Sequence, residues 1–174
     1  ARFYGIPFER LDYIIEKTKD ALSNRVRFPV FDLSDEMLEV FLGKFKTTSF
    51  DYVYGYTNSI VLFARYLIKK NVILKNICPS LKICIATSEN CADEDKLLIE
   101  QAFGVPAINE YGTSEVDLIA FEDLSGKWQL SNENIFIEVL DEDGKQLTAG
   151  GEGRILLTAL HNKAMPFIRY EIGD

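Results

Sequence analysis

The chain has 174 residues, 47% hydrophobic and 26% charged, a balance that suits a globular fold with a buried core and excludes a disordered or low-complexity class. Its net charge of -8 and pI near 4.8 oppose nucleic acid and anionic membranes as partners, because both require a positive protein surface. No apolar run reaches the roughly 20 residues of a membrane helix, and the start Ala1-Arg2-Phe3-Tyr4-Gly5 has no signal-peptide layout, so the expected setting is cytoplasmic.

In chain order, residues 8–22 space Leu11, Ile14, Ile15, Thr18 and Leu22 by threes and fours, the period of an amphipathic helix. Residues 27–33 form a short β-like run. Ser34 then stands as a helix N-cap before the stripe Met37, Leu38, Phe41 and Phe45. Residues 52–54 predict a strand ending at Gly55. A helix follows from Asn58, with Ile60, Val61, Ala64, Leu67 and Ile68 on one face and Lys69 and Lys70 at its C-terminal end, where they complement the dipole. Residues 82–86 are a near-continuous apolar strand of the kind used in covered parallel sheets. The helix expected over residues 93–103 stops at Gly104, with Pro106 just beyond, and a strand at residues 107–108 delivers the chain to Tyr111.

After residue 115 the texture is β, over residues 118–122, 127–130, 135–140 and 154–160. Asp141-Glu142-Asp143-Gly144-Lys145 predicts a hairpin turn with solvated acids. Gly150-Gly151-Glu152-Gly153 opens no helix, so a tight turn is expected there and not a phosphate cradle. The fold class is therefore α/β: a doubly wound, mostly parallel sheet over about residues 1–115, then a β-rich segment over about 116–174, within one domain and with a subdomain change near Val116. Cys78, Cys84 and Cys91 are odd in number and Cys84 lies in an apolar strand, which implies buried free thiols; their spacing matches no zinc site.

Doubly wound sheets bind ligands outside the carboxyl ends of their strands. Three segments fall in such loops: Gly55-Tyr56-Thr57-Asn58, Thr87-Ser88-Glu89-Asn90 and Asn109-Glu110-Tyr111-Gly112-Thr113-Ser114-Glu115. The third offers an aromatic face for a base, a Gly for close approach to phosphate, two hydroxyls for phosphate oxygens and two carboxylates for a divalent cation. Plainer roles fit the same residues. Thr57 or Asn58 can cap the following helix, Glu89 can be a first-turn acid, and a Tyr-Gly followed by Ser and Glu is also an ordinary turn.

The end of the chain carries a second motif, Met165-Pro166-Phe167-Ile168-Arg169-Tyr170-Glu171-Ile172-Gly173-Asp174, after the strand-like Gly153-Arg154-Ile155-Leu156-Leu157-Thr158. Together with Glu110-Tyr111-Gly112 and Glu115, and with Ile85-Ala86-Thr87-Ser88-Glu89-Asn90, it resembles the adenylate-forming (AMP-binding) superfamily. The resemblance is closer to its phenylacetate-CoA ligase branch and the related capsule-biosynthesis proteins, and it runs from about Tyr54 to Asp174. It implies that Tyr111 stacks on adenine with Glu110 and Gly112 beside it, that Thr113 contacts the α-phosphate, that Glu115 ligates Mg²⁺, and that Asp174 accepts the ribose hydroxyls. Thr113 and Glu115 are the implied catalytic pair. Ser88, Glu89 and Asn90 would line the adenine pocket, and Tyr56 would face the acyl pocket.

The implied ligands are ATP or AMP, Mg²⁺, coenzyme A as co-substrate and a small carboxylic acid. The implied reaction makes an acyl-adenylate and pyrophosphate, after which a thiol takes the acyl group. No protein nucleophile is needed, in keeping with a chain that has one histidine, His161, expected in a turn, and no Gly-x-Ser-x-Gly elbow. Tyr52, Tyr54, Tyr56, Phe63 and Phe121 would suit an aryl acid, though an aromatic stripe also serves a core.

Four departures from the family pattern stand out. These residues hold no Ser/Thr/Gly-rich phosphate loop with its Lys, and they stop before the hinge and the lysine-bearing C-terminal domain of the family. Asn90 replaces a Pro in the adenine turn. Glu122 and Trp128 lie where some relatives place a Cys and a His, which argues against a structural zinc. The stretch is thus expected to be the middle of a larger enzyme, inactive by itself and prone to self-associate as a homodimer through exposed apolar surface. The alternative is a non-catalytic nucleotide- or acyl-binding module or scaffold.

Overall fold

Phe3, Phe28, Phe41, Phe45 and Phe63, each 1% exposed or less, gather from two strands and two helices into the aromatic centre of the first half of the chain. Phe3 stacks on Phe28 at 4.9 Å, and Phe41 meets Phe28 edge-on at 5.1 Å, the geometries the ring quadrupole favours. Each such ring contributes about 2 kcal/mol through apolar burial. A computed structural model describes residues 1–5, 9–147 and 151–173. The chain divides into two units, Ala1–Glu110 with Leu124–Gly126, and Tyr111–Asp123 with Lys127–Asp174.

The first unit runs β1 (Arg2–Phe3), α1 (Arg10–Leu22), β2 (Arg27–Phe28), α2 (Asp35–Thr47), β3 (Tyr52–Tyr56), α3 (Thr57–Lys69), α4 (Leu74–Ile77), β4 (Ile83–Thr87), α5 (Asp93–Phe103) and then into β5 (Ala107–Thr113). Its strands are parallel in the order β2-β1-β3-β4-β5. Val53, Cys84 and Ala107 sit side by side in register on the buried face, while Tyr54, Ile85 and Ile108 share the other face. The fourth residue of β3 must be glycine. A Cβ on Gly55 would lie 2.3 Å from the Phe3 carbonyl oxygen, so any side chain there pushes β1 away.

The sheet reaches seven strands through β6 (Asp117–Glu122) and β7 (Trp128–Leu130), which pair antiparallel. The second unit also holds a three-stranded antiparallel sheet, β10 (Tyr170–Glu171) beside β9 (Arg154–Ala159) beside β8 (Ile135–Leu140). Ile119, Ala120, Ile135, Leu157 and Ile172 form its small core, with Tyr111 packed against them. The architecture is thus mixed α/β, a mostly parallel sheet plus an antiparallel one. No described helix is long and apolar enough to cross a membrane.

Several expectations change in detail. The run at residues 27–33 is a strand only over Arg27–Phe28, because Pro29 lacks the N–H that would continue the ladder. Ser34 precedes α2 but its hydroxyl makes no capping bond; its own N–H donates to Asp32 Oδ1 at 2.9 Å. Strand β3 extends through Tyr56, and α3 begins at Thr57. Segment 109–115 is less of a loop than expected, since β5 continues through Thr113 and only Ser114, Glu115 and Val116 lie between strands. Gly104 ends α5 in the left-handed conformation, as the sequence suggests. Asp141 accepts the Gly144 N–H at 3.1 Å and Gly144 takes φ +79°, which closes the expected turn. The three cysteines are free and buried. Phe8, Gly150 and Asp174 lie outside the described residues.

Candidate functional site

At the carboxyl ends of β3 and β4, the turn Ser88-Glu89-Asn90 is tied to the start of α3. Glu89 Oε2 accepts the Asn58 backbone N–H at 2.7 Å, Glu89 Oε1 accepts the Asn58 side-chain amide at 2.9 Å, and the Thr57 hydroxyl donates to the Glu89 carbonyl at 3.1 Å. The α3 N-terminus has no capping bond from its own N-cap residue, Tyr56, so Glu89 supplies the anionic acceptor from another segment. The two roles weighed for Glu89 therefore resolve in part: it caps, but α3 and not the helix that follows it in sequence. Ser88 takes φ +68°, a rare value for a residue with a side chain, and it exposes Ser88, Glu89 and Asn90 on the rim.

Beside this turn lies a network around Glu110, the last residue of β5 in this unit. Glu110 Oε1 accepts the Tyr54 hydroxyl at 2.8 Å and the Thr87 hydroxyl at 3.2 Å. Tyr4 stacks on Tyr54 at 5.7 Å and approaches Tyr56 at 4.3 Å, with the Arg2 guanidinium 4.2 Å from the Tyr4 ring centre. Burial, then the hydrogen bonds with Tyr4 and Glu110, push the Tyr54 phenol far above its ordinary value, so it remains a donor. Sequence reading missed Tyr4, Tyr54 and Thr87 as members of this cluster. Their signal was the alternation in β3 and β4 combined with register, which a single strand does not reveal. Phe63 is fully buried in the core, so it belongs to no pocket, whereas Phe121 is 38% exposed.

In the second unit, Thr113, Ser114, Glu115, Asp117, Asn134 and His161 line one cavity of about 550 Å³. Gly112 makes the turn into it possible: a Cβ there would sit 2.6 Å from the Asp117 carbonyl oxygen. Thr113 Oγ1 accepts the Val116 N–H at 3.4 Å, and Asp117 takes φ +66° to start β6. His161 is exposed, as expected, with Nε2 2.9 Å from the Glu133 carbonyl oxygen. Its place on the same cavity wall was not legible, because residues 113 and 161 meet only through the strand pairing.

The two sequence motifs meet in this unit. The Tyr170 hydroxyl, from the C-terminal motif, donates to Glu115 Oε1 at 3.3 Å across 55 positions of sequence. The negative charge of Glu115, then that hydrogen bond, raises the Tyr170 phenol above its ordinary value.

No family model matches the chain. In sequence it is 31% identical to the phenylacetate-coenzyme A ligase of Aromatoleum evansii over 103 residues, covering 55% of this chain and 23% of that protein. It is 25% identical to Protein CapK of Staphylococcus aureus over 151 residues, covering 87% of this chain and 32% of that protein. In structure it matches 2-hydroxyisobutyryl-CoA ligase, solved with 2-HIB-AMP and CoA, at a TM-score of 0.74 and 17% identity over 99% of this chain and 39% of that one. These sequence and structural matches support a place for the chain in the adenylate-forming superfamily. The chain spans about a quarter to a third of the curated relatives' length.

Proposed function

We propose that this chain supplies the adenosine-phosphate half of an ATP-dependent acid-thiol ligase, which joins a carboxylate to AMP and passes the acyl group to coenzyme A. The observation that carries this is the contact between Tyr170 and Glu115, which brings the C-terminal motif to the cavity that holds Thr113 and Glu115. Tyr111 presents a ring half-buried against the small core, suited to stacking on adenine. Thr113 and Ser114 offer hydroxyl donors to the α-phosphate. Asp174, outside the described residues, would accept the ribose hydroxyls. In the first unit, Ser88, Glu89 and Asn90 present an exposed polar turn held rigid by α3.

The Glu115 side chain and neighbouring hydroxyl and carbonyl oxygens form a hard-donor set that fits Mg²⁺, which commonly takes one or two carboxylates and completes its shell with phosphates and water. A bound Mg²⁺ would offset phosphate charge as the carboxylate attacks. Glu115 would hold it. The chain's own contribution is then orientation: β5 ends at Thr113 and β6 starts at Asp117, so the two strands hold the short turn that carries Glu115, and the α-phosphorus meets groups set in place before reaction. The Tyr4 and Tyr56 rings, tilted against each other at the sheet rim, support an aryl acid as substrate. A cytoplasmic setting, where ATP and coenzyme A are plentiful, agrees with this.

Calorimetric titration of AMP and Mg-ATP into the protein, with Tyr111→Ala and Asp174→Ala, tests the assignment. Micromolar to millimolar binding that both substitutions weaken supports it. Absence of nucleotide binding at millimolar concentration would overturn it in favour of a non-catalytic module.

A further inference from the structure

Tyr170 is fixed in place more firmly than an exposed side chain on a two-residue strand requires. Arg169, just before it, takes φ +50°, a conformation that costs a residue with a side chain on the order of 1 kcal/mol and persists only where neighbours enforce it. The neighbours are visible. The Arg169 N–H donates to the Thr158 hydroxyl at 3.0 Å, and Arg169 Nε pairs with Glu138 Oε2 at 3.1 Å, where the Glu138 side chain is 16% exposed. Tyr170 and Glu171 then pair with Leu157 and Leu156 of β9, and the Phe167 ring meets the Tyr170 ring at 5.1 Å and 66°. Backbone, ion pair and ring contact together aim the phenol, and its hydroxyl reaches Glu115 Oε1.

We propose that Tyr170 is a positioning residue for the Glu115 carboxylate: its phenol holds one carboxylate oxygen and leaves the other turned to the divalent cation of the nucleotide. This rests on the ligase assignment above. The physical reason is rotational. A glutamate on a turn between strands samples several rotamers, and ordering it at the moment of metal binding costs affinity; a donor fixed beforehand removes much of that cost. Groups that orient a metal ligand in this way typically contribute about 10- to 100-fold in metal affinity. Arg169 and Glu138 act one step further out, since their pairing sets the backbone that carries Tyr170.

The test uses the full-length gene product and Mn²⁺ as the probe, with free Mn²⁺ read by electron paramagnetic resonance in the presence of saturating ATP. Tyr170→Phe should weaken Mn²⁺ binding to the protein-nucleotide complex about 10-fold. At saturating Mg²⁺ it should leave the KM for ATP within about twofold, and placing it on Glu115→Gln should add nothing further. Glu138→Gln, outside the cavity lining, should weaken Mn²⁺ binding by a smaller factor in the same direction and guards against a folding defect in the first variant. Wild-type Mn²⁺ affinity in Tyr170→Phe, or an equal loss from Tyr170→Phe in the wild-type and Glu115→Gln backgrounds, would overturn the positioning role while leaving the ligase assignment intact. If the wild type binds no Mn²⁺ with nucleotide, the ligase assignment itself falls and takes this role with it.

Discussion

Glu89 binds Asn58 twice, accepting its backbone N–H at 2.7 Å and its side-chain amide at 2.9 Å, so the turn after β4 and the first turn of α3 form one rigid piece. Glu89→Ala should lower global stability by about 1 kcal/mol, the usual value of a lost N-terminal cap, as read from urea unfolding. If the turn lines adenine as proposed, the substitution should also raise the KM for ATP, because the turn loses its anchor. Glu89→Gln should recover part of both, since an amide oxygen still accepts the Asn58 N–H. A stability change without any change in KM would separate the turn from the nucleotide.

Gly112 is held close to Asp117 by the hairpin that leads to Glu115. Substituting Ala puts a Cβ 2.6 Å from the Asp117 carbonyl oxygen, so the strands must separate just where Thr113 and Glu115 are set. Gly112→Ala should lower stability by about 1 to 3 kcal/mol, as over-packing does, and lower adenylation by a larger factor than stability alone explains. Thermal unfolding and pyrophosphate-exchange rates on the same preparation check both parts.

The buried polar cluster of the first unit should make stability fall in acid. Arg27 donates to Asp20 Oδ2 at 2.9 Å and to Glu16 Oε2 at 2.5 Å, and Arg25 donates to Asp20 Oδ1 at 2.5 Å. Burial alone would raise the Asp20 carboxyl, but its hydrogen bonds and charge pairing with Arg27 and Arg25 outweigh that and hold it below its ordinary 3.8. Hydrogen bonds from Lys19 and Arg27 hold Glu16 below its ordinary 4.5. A carboxylate with a lowered folded value contributes stability that is full above its unfolded value and is lost as pH falls through the folded one. Stability should therefore stay level with respect to these groups above about pH 5 and decline below about pH 4. Asp20→Asn should cost about 3 kcal/mol at pH 7, because Arg27 stays buried with a partner missing, and should flatten the acid limb. Urea unfolding from pH 3 to 7 for both proteins measures this.

Cys84 is fully buried in β4, and burial pushes its thiol far above the ordinary range. Cys78 and Cys91 are 2% and 6% exposed. All three should therefore resist a thiol reagent in native buffer at pH 8 and react together in denaturant. Rapid native labelling of Cys84 would contradict its place on the covered face of the sheet.

The helices and longer strands were legible because their signals are local. α5 falls on the expected residues and ends where Gly104 marks, and β8 falls on its own apolar run. The two-residue strands β1 and β10 were not, since Arg2–Phe3 and Tyr170–Glu171 owe their pairing to partners 25 or more and 13 or more residues distant, and no two-residue pattern carries a period. In the site, Tyr111, Thr113 and Glu115 stood out by residue type and motif. Thr87 stood out only as part of a rim loop, Tyr54 only in a list of aromatics and Tyr4 not at all, because their link to Glu110 appears only when strand register lays Tyr54 and Thr87 beside it and Tyr4 stacks on Tyr54. The role of Glu89 was half visible: its charge suited a helix start, but only the fold shows that the helix is α3.

The most direct measurement is ATP–pyrophosphate exchange catalysed by the full-length gene product, run against a panel of aryl and alkyl carboxylic acids with and without Glu115→Gln. Acid-dependent exchange in the wild type, strongest with an aryl acid and reduced about 100-fold or more by Glu115→Gln, is the expected result. Exchange that no acid stimulates in folded, nucleotide-saturated protein, or exchange that survives Glu115→Gln at full rate, would contradict the assignment of Thr113 and Glu115 to adenylate formation.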